Sequence, residues 1–135
     1  MISGLAHVCF RVKDLSRAMA FYSDGLGFAE AFDFINAEGR RFGVYLKTGG
    51  RVFLELFESP GVAGEQPGQS YGHICLEVAD IVAATTGLRV RGIEVTEPQL
   101  GSDRSWQAWL ADPDGNRIEL HQYTPESWQT PHLER

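Results

Sequence analysis

The chain has 135 residues, of which 43% are hydrophobic and 22% are charged, as is typical of one compact globular domain. Its net charge of −6 and its lack of a basic patch argue against a nucleic-acid or anionic-membrane partner, because both require clustered Lys and Arg. No apolar stretch approaches the ~18 residues of a membrane span, and no signal-peptide pattern is evident. We therefore expect a cytoplasmic protein that binds neither nucleic acid nor a membrane.

The first predicted element is a strand at residues 5–12, in which His7, Cys9 and Arg11 share one face and apolar side chains occupy the other. Alternation with a period of two residues is typical of a half-buried strand. Asp14 follows the strand and is expected to cap a short amphipathic helix. Three further strands are predicted after this helix, at residues 29–34, 41–47 and 51–57.

The second half of the chain repeats this order. A strand at residues 72–78 carries His73 and Cys75 on one face, and Asp80 begins the next amphipathic helix. Three more strands are predicted at residues 94–97, 106–111 and 117–123. The sequence therefore predicts an α+β fold, with two βαβββ modules in a single domain. Its predicted parts are a first module at 4–60, a linker at 61–70, a second module at 71–124, and a polar, loosely attached tail at 125–135.

Two histidines and two glutamates recur in equivalent strands of the two modules. His7 and Glu55 are followed 66 and 64 residues later by His73 and Glu119. Ionisable side chains in apolar strands are costly unless they are neutralised or bind a cation. For a single residue of this kind a structural role is the better interpretation, but the duplicated pattern favours metal ligation. Two imidazoles and two carboxylates suit one divalent ion such as Ni, Co, Zn, Mn or Fe.

Turn signals predict how the glutamate strands pair with their neighbours. If residues 112–115 close a tight hairpin, Ala108 lies opposite Glu119. Similar counting places Val44 opposite Glu55. Both carboxylates are then expected to project onto a surface of small or apolar side chains.

Several further residues are candidates for the site. Cys9 and Cys75 share the faces of the histidines, but we expect them to be small, buried, reduced hydrophobic residues rather than site residues. His121 follows Glu119 on the same face, either as a hydrogen-bond partner behind it or as an exposed rim residue. Arg11 is either an anchor for an anionic substrate group or a surface charge. Three aromatic residues are candidates for a substrate-pocket wall, with an ordinary core role as the alternative: Phe53, Phe57 and Trp106.

The segments LAHVCFRVKDLSRAMAFYSDGLGF and DPDGNRIEL, together with the doubled βαβββ order, resemble the vicinal oxygen chelate superfamily of glyoxalases, bleomycin resistance proteins and extradiol dioxygenases. The resemblance covers about residues 5–123 and implies sheets that wrap as a cupped half-barrel around a metal. The four-ligand pattern is most similar to compact bacterial glyoxalase I. That resemblance implies metal ligation by His7, Glu55, His73 and Glu119.

The resemblance also implies a homodimer whose sites are shared between subunits, although the residues alone leave open whether one chain completes the ligand set. It implies a small-molecule substrate, such as a 2-oxoaldehyde–thiol hemithioacetal, that isomerises through a metal-stabilised enediolate. Glu119 is the expected proton-transferring base, with Glu55 as its catalytic partner. Arg11 matches the arginine that anchors glutathione in the family. Ser59, however, replaces the family's anchoring asparagine, and the adjacent Glu58 is expected to repel a substrate carboxylate.

Other members of the superfamily provide the alternative functions. Thiol transferases and iron(II) extradiol dioxygenases typically use two histidines and one glutamate, and epimerases have glutamine at the position of Glu55. Bleomycin-binding proteins lack the metal ligands. An enzyme of one of these classes, or a small-molecule-binding resistance protein without catalysis, is therefore the alternative to a glyoxalase I-like lyase.

Overall fold

A computed structural model describes residues 1–64 and 66–134 of the chain. The chain divides into two compact units, Met1–Gln66 and Pro67–Arg135, and each contains one βαβββ module. The predicted α+β class and the repeated element order are therefore confirmed. Glu65 of the predicted linker and Arg135 of the predicted tail lie outside the described residues.

The first unit contains one mixed sheet with the strand order β1-β4-β3-β2, in which β1 runs parallel to β4. Helix α1 continues directly into a short π-helix. The elements are β1 (His7–Val12), α1 (Leu15–Met19), the π-helix (Ala20–Gly25), β2 (Ala29–Ile35), β3 (Arg41–Gly49) and β4 (Val52–Glu58).

The second unit has the same topology, with the strand order β5-β8-β7-β6 and β5 parallel to β8. Its elements are β5 (Ile74–Glu77), α2 (Ile81–Val90), β6 (Gln99–Leu100), β7 (Trp106–Ala111), β8 (Arg117–Gln122) and a 3₁₀-helix (Thr130–His132). No helix in the described part of the chain is long and apolar enough to cross a membrane.

Each helix begins against the strand that carries the glutamate. As predicted, Asp14 and Asp80 cap the two helices, and each carboxylate accepts a backbone N–H bond of 3.0 Å. Glu58, the last residue of β4, accepts a 2.9 Å hydrogen bond from the N–H of Leu15. Gln122, the last residue of β8, accepts one of 2.7 Å from the N–H of Ile81. The same contact therefore positions both helices on their sheets, since it satisfies a helix N–H that has no partner within the helix.

The apolar face of each sheet packs under its helix and forms the core. In the first unit the buried hydrophobic side chains of β3 and β4 are Val44, Leu46, Leu54 and Leu56. In the second unit those of β7 and β8 are Ala108, Leu110, Ile118 and Leu120. Because successive side chains of a strand point to opposite faces, the residues between them lie on the other face, which is where both glutamates are found.

The predicted registers of both hairpins are wrong by one residue. Tyr45, not Val44, lies opposite Glu55, and Trp109, not Ala108, lies opposite Glu119. The first hairpin turns at Gly50 and Arg51, so that Gly49 pairs with Val52. A bulge between Lys47 and Gly49 then shifts the pairing by one residue, and Tyr45 comes to lie opposite Glu55. Because a one-residue shift exchanges the two faces of a strand, the glutamates face aromatic rings rather than small side chains.

The turn of the second hairpin is one residue longer than predicted. The N–H of Asp112 donates to the carbonyl of Asn116 at 2.9 Å, which places Asn116 inside the turn. The Asp112 carboxylate also accepts hydrogen bonds from the N–H groups of Asp114 and Asn116. These side-chain bonds stabilise the longer turn and pair Ala111 with Arg117.

The strand predicted at residues 94–97 is also wrong. The edge strand is β6, which pairs Gln99 and Leu100 with β7. Before β6, Thr96 makes two hydrogen bonds of 2.9 Å with Trp109. The Thr96 N–H donates to the Trp109 carbonyl, and the Trp109 N–H donates to the Thr96 hydroxyl. This side-chain bond replaces regular strand pairing, and Pro98 has no N–H for a continuous ladder.

The predicted loose attachment of residues 125–135 is likewise wrong for the described part of this segment. Ser127 is buried, and its hydroxyl accepts a 2.7 Å hydrogen bond from buried Ser105. The N–H of Trp128 donates to the carbonyl of Asp103, and the Gln129 amide donates to the Asp103 carboxylate at 2.7 Å. Polar composition predicted a tail, but these hydrogen bonds attach it to the second unit.

We predict that Asp80→Ala destabilises the protein by about 1 kcal/mol, because the first turn of α2 loses its capping carboxylate. Chemical denaturation monitored by circular dichroism measures the free energy of unfolding. Thr86→Ala, at an exposed position of the same helix, is the control and should not destabilise. Equal stability of Asp80→Ala and the unmodified protein would contradict a stabilising cap.

Candidate metal centre

In the first unit, His7 and Glu55 lie on neighbouring parallel strands and on the same face of the sheet. The register places Cys9 beside Glu55 and His7 one pleat away. His7 Nε2 lies 3.9 Å from Glu55 Oε1. The imidazole side chain is 43% exposed, whereas the carboxylate is only 13% exposed. Parallel pairing of β1 with β4 therefore forms the predicted His–Glu pair.

Tyr45 joins this pair from β3. Its hydroxyl lies 3.4 Å from His7 Nδ1, and the two rings meet edge to face at 5.5 Å. A hydrogen bond to Glu55 raises the pKa of the Tyr45 hydroxyl, which therefore stays protonated at neutral pH and serves as a donor. The first unit thus has a phenol next to its carboxylate.

The second unit brings His73, the residue just before β5, together with Glu119 of β8. His73 Nε2 lies 3.2 Å from Glu119 Oε2, and the side chains are 40% and 12% exposed. Trp109 takes the position of Tyr45, with its ring 4.8 Å from the His73 ring and edge to face. The Arg117 guanidinium lies over the Trp109 ring at 4.6 Å, a cation–π contact.

His121 adds a second imidazole to this pair. Its Nδ1 lies 3.1 Å from Glu119 Oε1, and its side chain is only 9% exposed. Because His121 is buried, it is not an exposed residue at the rim of the site. The contact instead agrees with the other interpretation, in which His121 is a hydrogen-bond partner of Glu119. The His121 ring also packs edge to face on Tyr123 at 4.8 Å.

The two cysteines are free, but the prediction that they are buried is wrong, because both lie exposed on the face of the glutamates. Although both residues are exposed, neighbouring atoms partly desolvate the thiols. This desolvation and a hydrogen bond to Glu55 raise the pKa of Cys9 to about 11. Desolvation and the negative charge of Glu119 raise the pKa of Cys75 to about 12. Both groups are therefore neutral thiols at physiological pH and face the carboxylates as weak donors rather than as thiolates.

The ligand atoms of each His–Glu pair fit a shared divalent ion. Bonds from such an ion to nitrogen or oxygen are about 2.1 Å long, so two of its ligand atoms lie about 3–4 Å apart. The distances of 3.9 Å in the first unit and 3.2 Å in the second fall within this range. In addition, one ligand atom from each of Cys75, Glu119 and His121 lies within 4.8 Å of the others. Each unit therefore contains one imidazole and one carboxylate at a spacing that suits a divalent ion.

Three of the four predicted substrate-binding residues lie on the face of Glu55. Arg11 is exposed on β1 and pairs in register with Phe57, while Phe53 and Phe57 alternate with buried core residues on β4. The two phenylalanines belong to a group of aromatic rings with neighbouring centroids 4.6–6.1 Å apart. The group comprises Phe32, Phe34, Phe42, Tyr45, Phe53 and Phe57.

Trp106, the fourth candidate for substrate binding, does not share the face of Glu119. Trp106 shares the alternation of Ala108 and Leu110, so it lies on the helix-covered face, where it lines a cavity with Ile81. Trp109 takes the position beside Glu119. Tyr45 and Trp109 are separated by 64 residues, the same interval as the two glutamates, and this spacing could have identified both.

The expected repulsion of a substrate by Glu58 does not arise on this face. Glu58 follows the buried positions of β4 toward the helix, where it caps α1 and forms an ion pair with Arg40. Its charge is therefore compensated by the start of the helix and by a guanidinium. Ser59 donates its N–H to the carbonyl of Val12 at 2.7 Å and has no amide like that of the family's asparagine.

Comparisons with known proteins identify relatives along most of the chain. Residues 4–120 match the family model of the Glyoxalase/Bleomycin resistance protein/Dioxygenase superfamily. The chain is 34% identical over 122 residues to the lactoylglutathione lyase of Salmonella typhimurium. The aligned region covers 86% of this chain and 90% of that protein.

Two solved structures show the same fold. TnmS3, an antibiotic binding protein from Streptomyces sp. CB03234, is 30% identical with a TM-score of 0.72, covering 91% of this chain and 98% of that chain. The trypanothione-dependent glyoxalase I of Leishmania major is 27% identical with a TM-score of 0.70, covering 90% and 87%. The extent of the family match and the shared topology place the repeated βαβββ modules in a known group. The chain therefore belongs to the glyoxalase/bleomycin resistance protein/dioxygenase superfamily.

Proposed function

We propose that the protein is a divalent-metal-dependent lyase of the glyoxalase I type, which isomerises a 2-oxoaldehyde–thiol hemithioacetal or a related substrate with neighbouring oxygens. The observation that carries this proposal is the repeated His–Glu pair, with nitrogen–oxygen distances of 3.9 Å in the first module and 3.2 Å in the second. The 34% identity to a lactoylglutathione lyase supports an enzyme of this type.

His7, Glu55, His73 and Glu119 are the proposed ligands of one Ni, Co, Zn, Mn or Fe ion per site. Each unit contains one imidazole and one carboxylate of this proposed set. Such nitrogen and oxygen ligands match these divalent ions. When bound, the ion supplies Lewis acidity to the substrate oxygens.

Glu119 is the proposed base that moves a proton between neighbouring substrate carbons. Its Oε1 is held by His121, so Oε2, on the side of His73, is the oxygen available to accept and return the proton. Glu119 is therefore proposed as a ligand in the resting protein and as a base when substrate is present. Glu55 is its proposed catalytic partner.

The face of the first sheet that carries Glu55 supplies the proposed substrate contacts. Arg11 is exposed there and can pair with an anionic group of the substrate, whereas Phe53 and Phe57 offer apolar surface. Because Glu58 is engaged with α1, it does not oppose a substrate carboxylate on this face. Ser59 lacks the amide of the asparagine that anchors glutathione in the family. We therefore propose a thiol adduct as the substrate without naming glutathione as the thiol.

A second candidate function is the binding of an aromatic small molecule without turnover. The half-buried aromatic group around Phe34 and Tyr45 favours it, since stacked rings recognise planar apolar ligands. The similarity to an antibiotic binding protein agrees with this alternative. It predicts stoichiometric binding by metal-free protein and no product.

We also propose a homodimer with sites shared between subunits, located in the cytoplasm as expected from the sequence. In this arrangement His7 and Glu55 of one protomer combine with the second module of its partner. The alternative is a ligand set completed within one chain. The two arrangements give opposite results when differently mutated chains are mixed.

The first prediction concerns metal content. Purified protein should hold one divalent ion per chain, measured by inductively coupled plasma mass spectrometry. His73→Ala should lose most of it, because only three proposed ligands remain. His132→Ala, at an exposed histidine in the C-terminal 3₁₀-helix, is the matched control and should retain the metal. Equal metal content in both variants would contradict the assignment of His73.

The second prediction concerns Glu119→Gln. Its kcat with methylglyoxal and a thiol should fall by about 10²–10⁴-fold, since an amide cannot accept the proton. The metal content of this variant is measured in parallel, because the amide oxygen can still bind a cation. Glu126→Gln, at an exposed glutamate of the same unit, should keep the full rate. A metal-loaded Glu119→Gln enzyme with unchanged turnover would exclude Glu119 as the base.

The third prediction decides between shared and single-chain sites. His7→Ala and His73→Ala should each be inactive alone. After denaturation and joint refolding in equal amounts, a shared-site dimer should recover about a quarter of the original activity, since half the dimers are mixed and each has one intact site. Single-chain sites give no recovery. Light scattering on the same samples measures the oligomeric state.

A further inference from the structure

The two oxygens of Glu119 contact two different imidazoles. Oε2 lies 3.2 Å from His73 Nε2, and Oε1 lies 3.1 Å from His121 Nδ1. The two histidines differ in environment, because the His73 side chain is 40% exposed and that of His121 only 9%. His73 is therefore accessible to a cation or substrate, whereas His121 supports the carboxylate from behind.

The direction of the His121 contact follows from its chemistry. A carboxylate that binds a cation has no proton to donate, so in the proposed metal centre Nδ1 is the donor and Oε1 the acceptor. A hydrogen bond to a charged group is shorter and stronger than one between neutral groups, and burial strengthens it further. This bond fixes the orientation of the Glu119 side chain and leaves Oε2 on the side of His73.

The rest of the His121 environment holds the ring in place. Tyr123 packs against one edge, and Nε2 points toward the Asp103 carboxylate at 4.0 Å. Within residues 1–64 and 66–134, Nε2 has no hydrogen-bond partner. Asp103 is itself held by the Gln129 amide at 2.7 Å, so the C-terminal segment supports this side of the ring.

The first unit provides an internal comparison. Phe57 occupies the position equivalent to His121, 64 residues earlier and two residues after its glutamate. It packs on Phe34 and Phe42 and has no donor. Both glutamates have a neighbouring cysteine, so the thiols do not distinguish the modules. A buried imidazole on the carboxylate is therefore specific to the second module.

We propose that His121 is a positioning residue, whose Nδ1–H holds Glu119 so that its Oε2 faces the cation. This inference rests on the proposed metal centre and extends it, since His121 is not one of the four ligands. Partners that orient a ligating side chain are typically worth 10–100-fold in metal affinity. The two glutamates are then unequal, and Glu119 is the one fixed by an imidazole.

The test compares His121→Phe, which recreates the side chain of the first module, with His121→Asn. The Asn amide nitrogen is the same number of bonds from Cα as Nδ1 and restores a donor. The dissociation constant for Co²⁺ is measured by chelator competition. We expect about 10–100-fold weaker binding in His121→Phe and recovery of most of that loss in His121→Asn. The visible Co²⁺ spectrum should change in His121→Phe and return in His121→Asn.

Two controls separate positioning from a general structural effect. His132→Phe removes a histidine away from Glu119 and should bind Co²⁺ as the unmodified protein does. His121→Leu also removes the hydrogen-bond donor but introduces a side chain smaller than Phe. Weaker Co²⁺ binding in this variant could therefore not result from a phenyl ring that fits poorly beside Glu119. Unfolding of the metal-free variants shows whether each is folded.

The outcomes distinguish this inference from the proposed function. Unmodified protein that binds no Co²⁺ would overturn both. Normal binding by the unmodified protein together with equal affinity in His121→Phe and His121→Leu would overturn the role of His121 alone. Equal weakening in His121→Phe and His121→Asn would also overturn it, because the restored donor would then have no effect.

Discussion

The parallel pairing of the first and last strands is the contact on which each module depends. It places the histidine strand beside the glutamate strand, with Cys9 next to Glu55 and Cys75 next to Glu119. The end of the same glutamate strand provides Glu58 or Gln122 for the first N–H of the helix. One strand register therefore sets both the ligand pair on one face and the helix on the other.

The two modules share a topology but differ in the chemistry of their open faces. In the first, Tyr45 lies within an aromatic group, and Phe57 follows the glutamate on the same face. In the second, Trp109 is covered by Arg117, and Nδ1 of the buried His121 lies 3.1 Å from the carboxylate. Duplication of the backbone thus preserves the His–Glu pair, while the neighbouring positions give the first module apolar surface and the second module polar support.

The prediction of the fold from sequence succeeded where local signals were strong. Alternating side chains gave β1 and β5, and the caps Asp14 and Asp80 gave both helices. It failed where one additional residue or one side-chain hydrogen bond decided the result. The bulge near Lys47 and the longer turn at Asn116 each changed a register, and Ser127 attached a segment whose composition is polar.

The sequence by itself determined the βαβββ repeat and the residues of the two His–Glu pairs, because periodicity and spacing are properties of the chain. Only the tertiary structure decided which side chains surround those pairs. Tyr45 and Trp109, rather than Val44 and Ala108, lie opposite the two glutamates. Glu58 contacts the start of α1, and His121 is buried against Glu119. The physical reason is that strand register and burial arise from contacts between distant segments, and a single inserted residue exchanges the two faces of a strand.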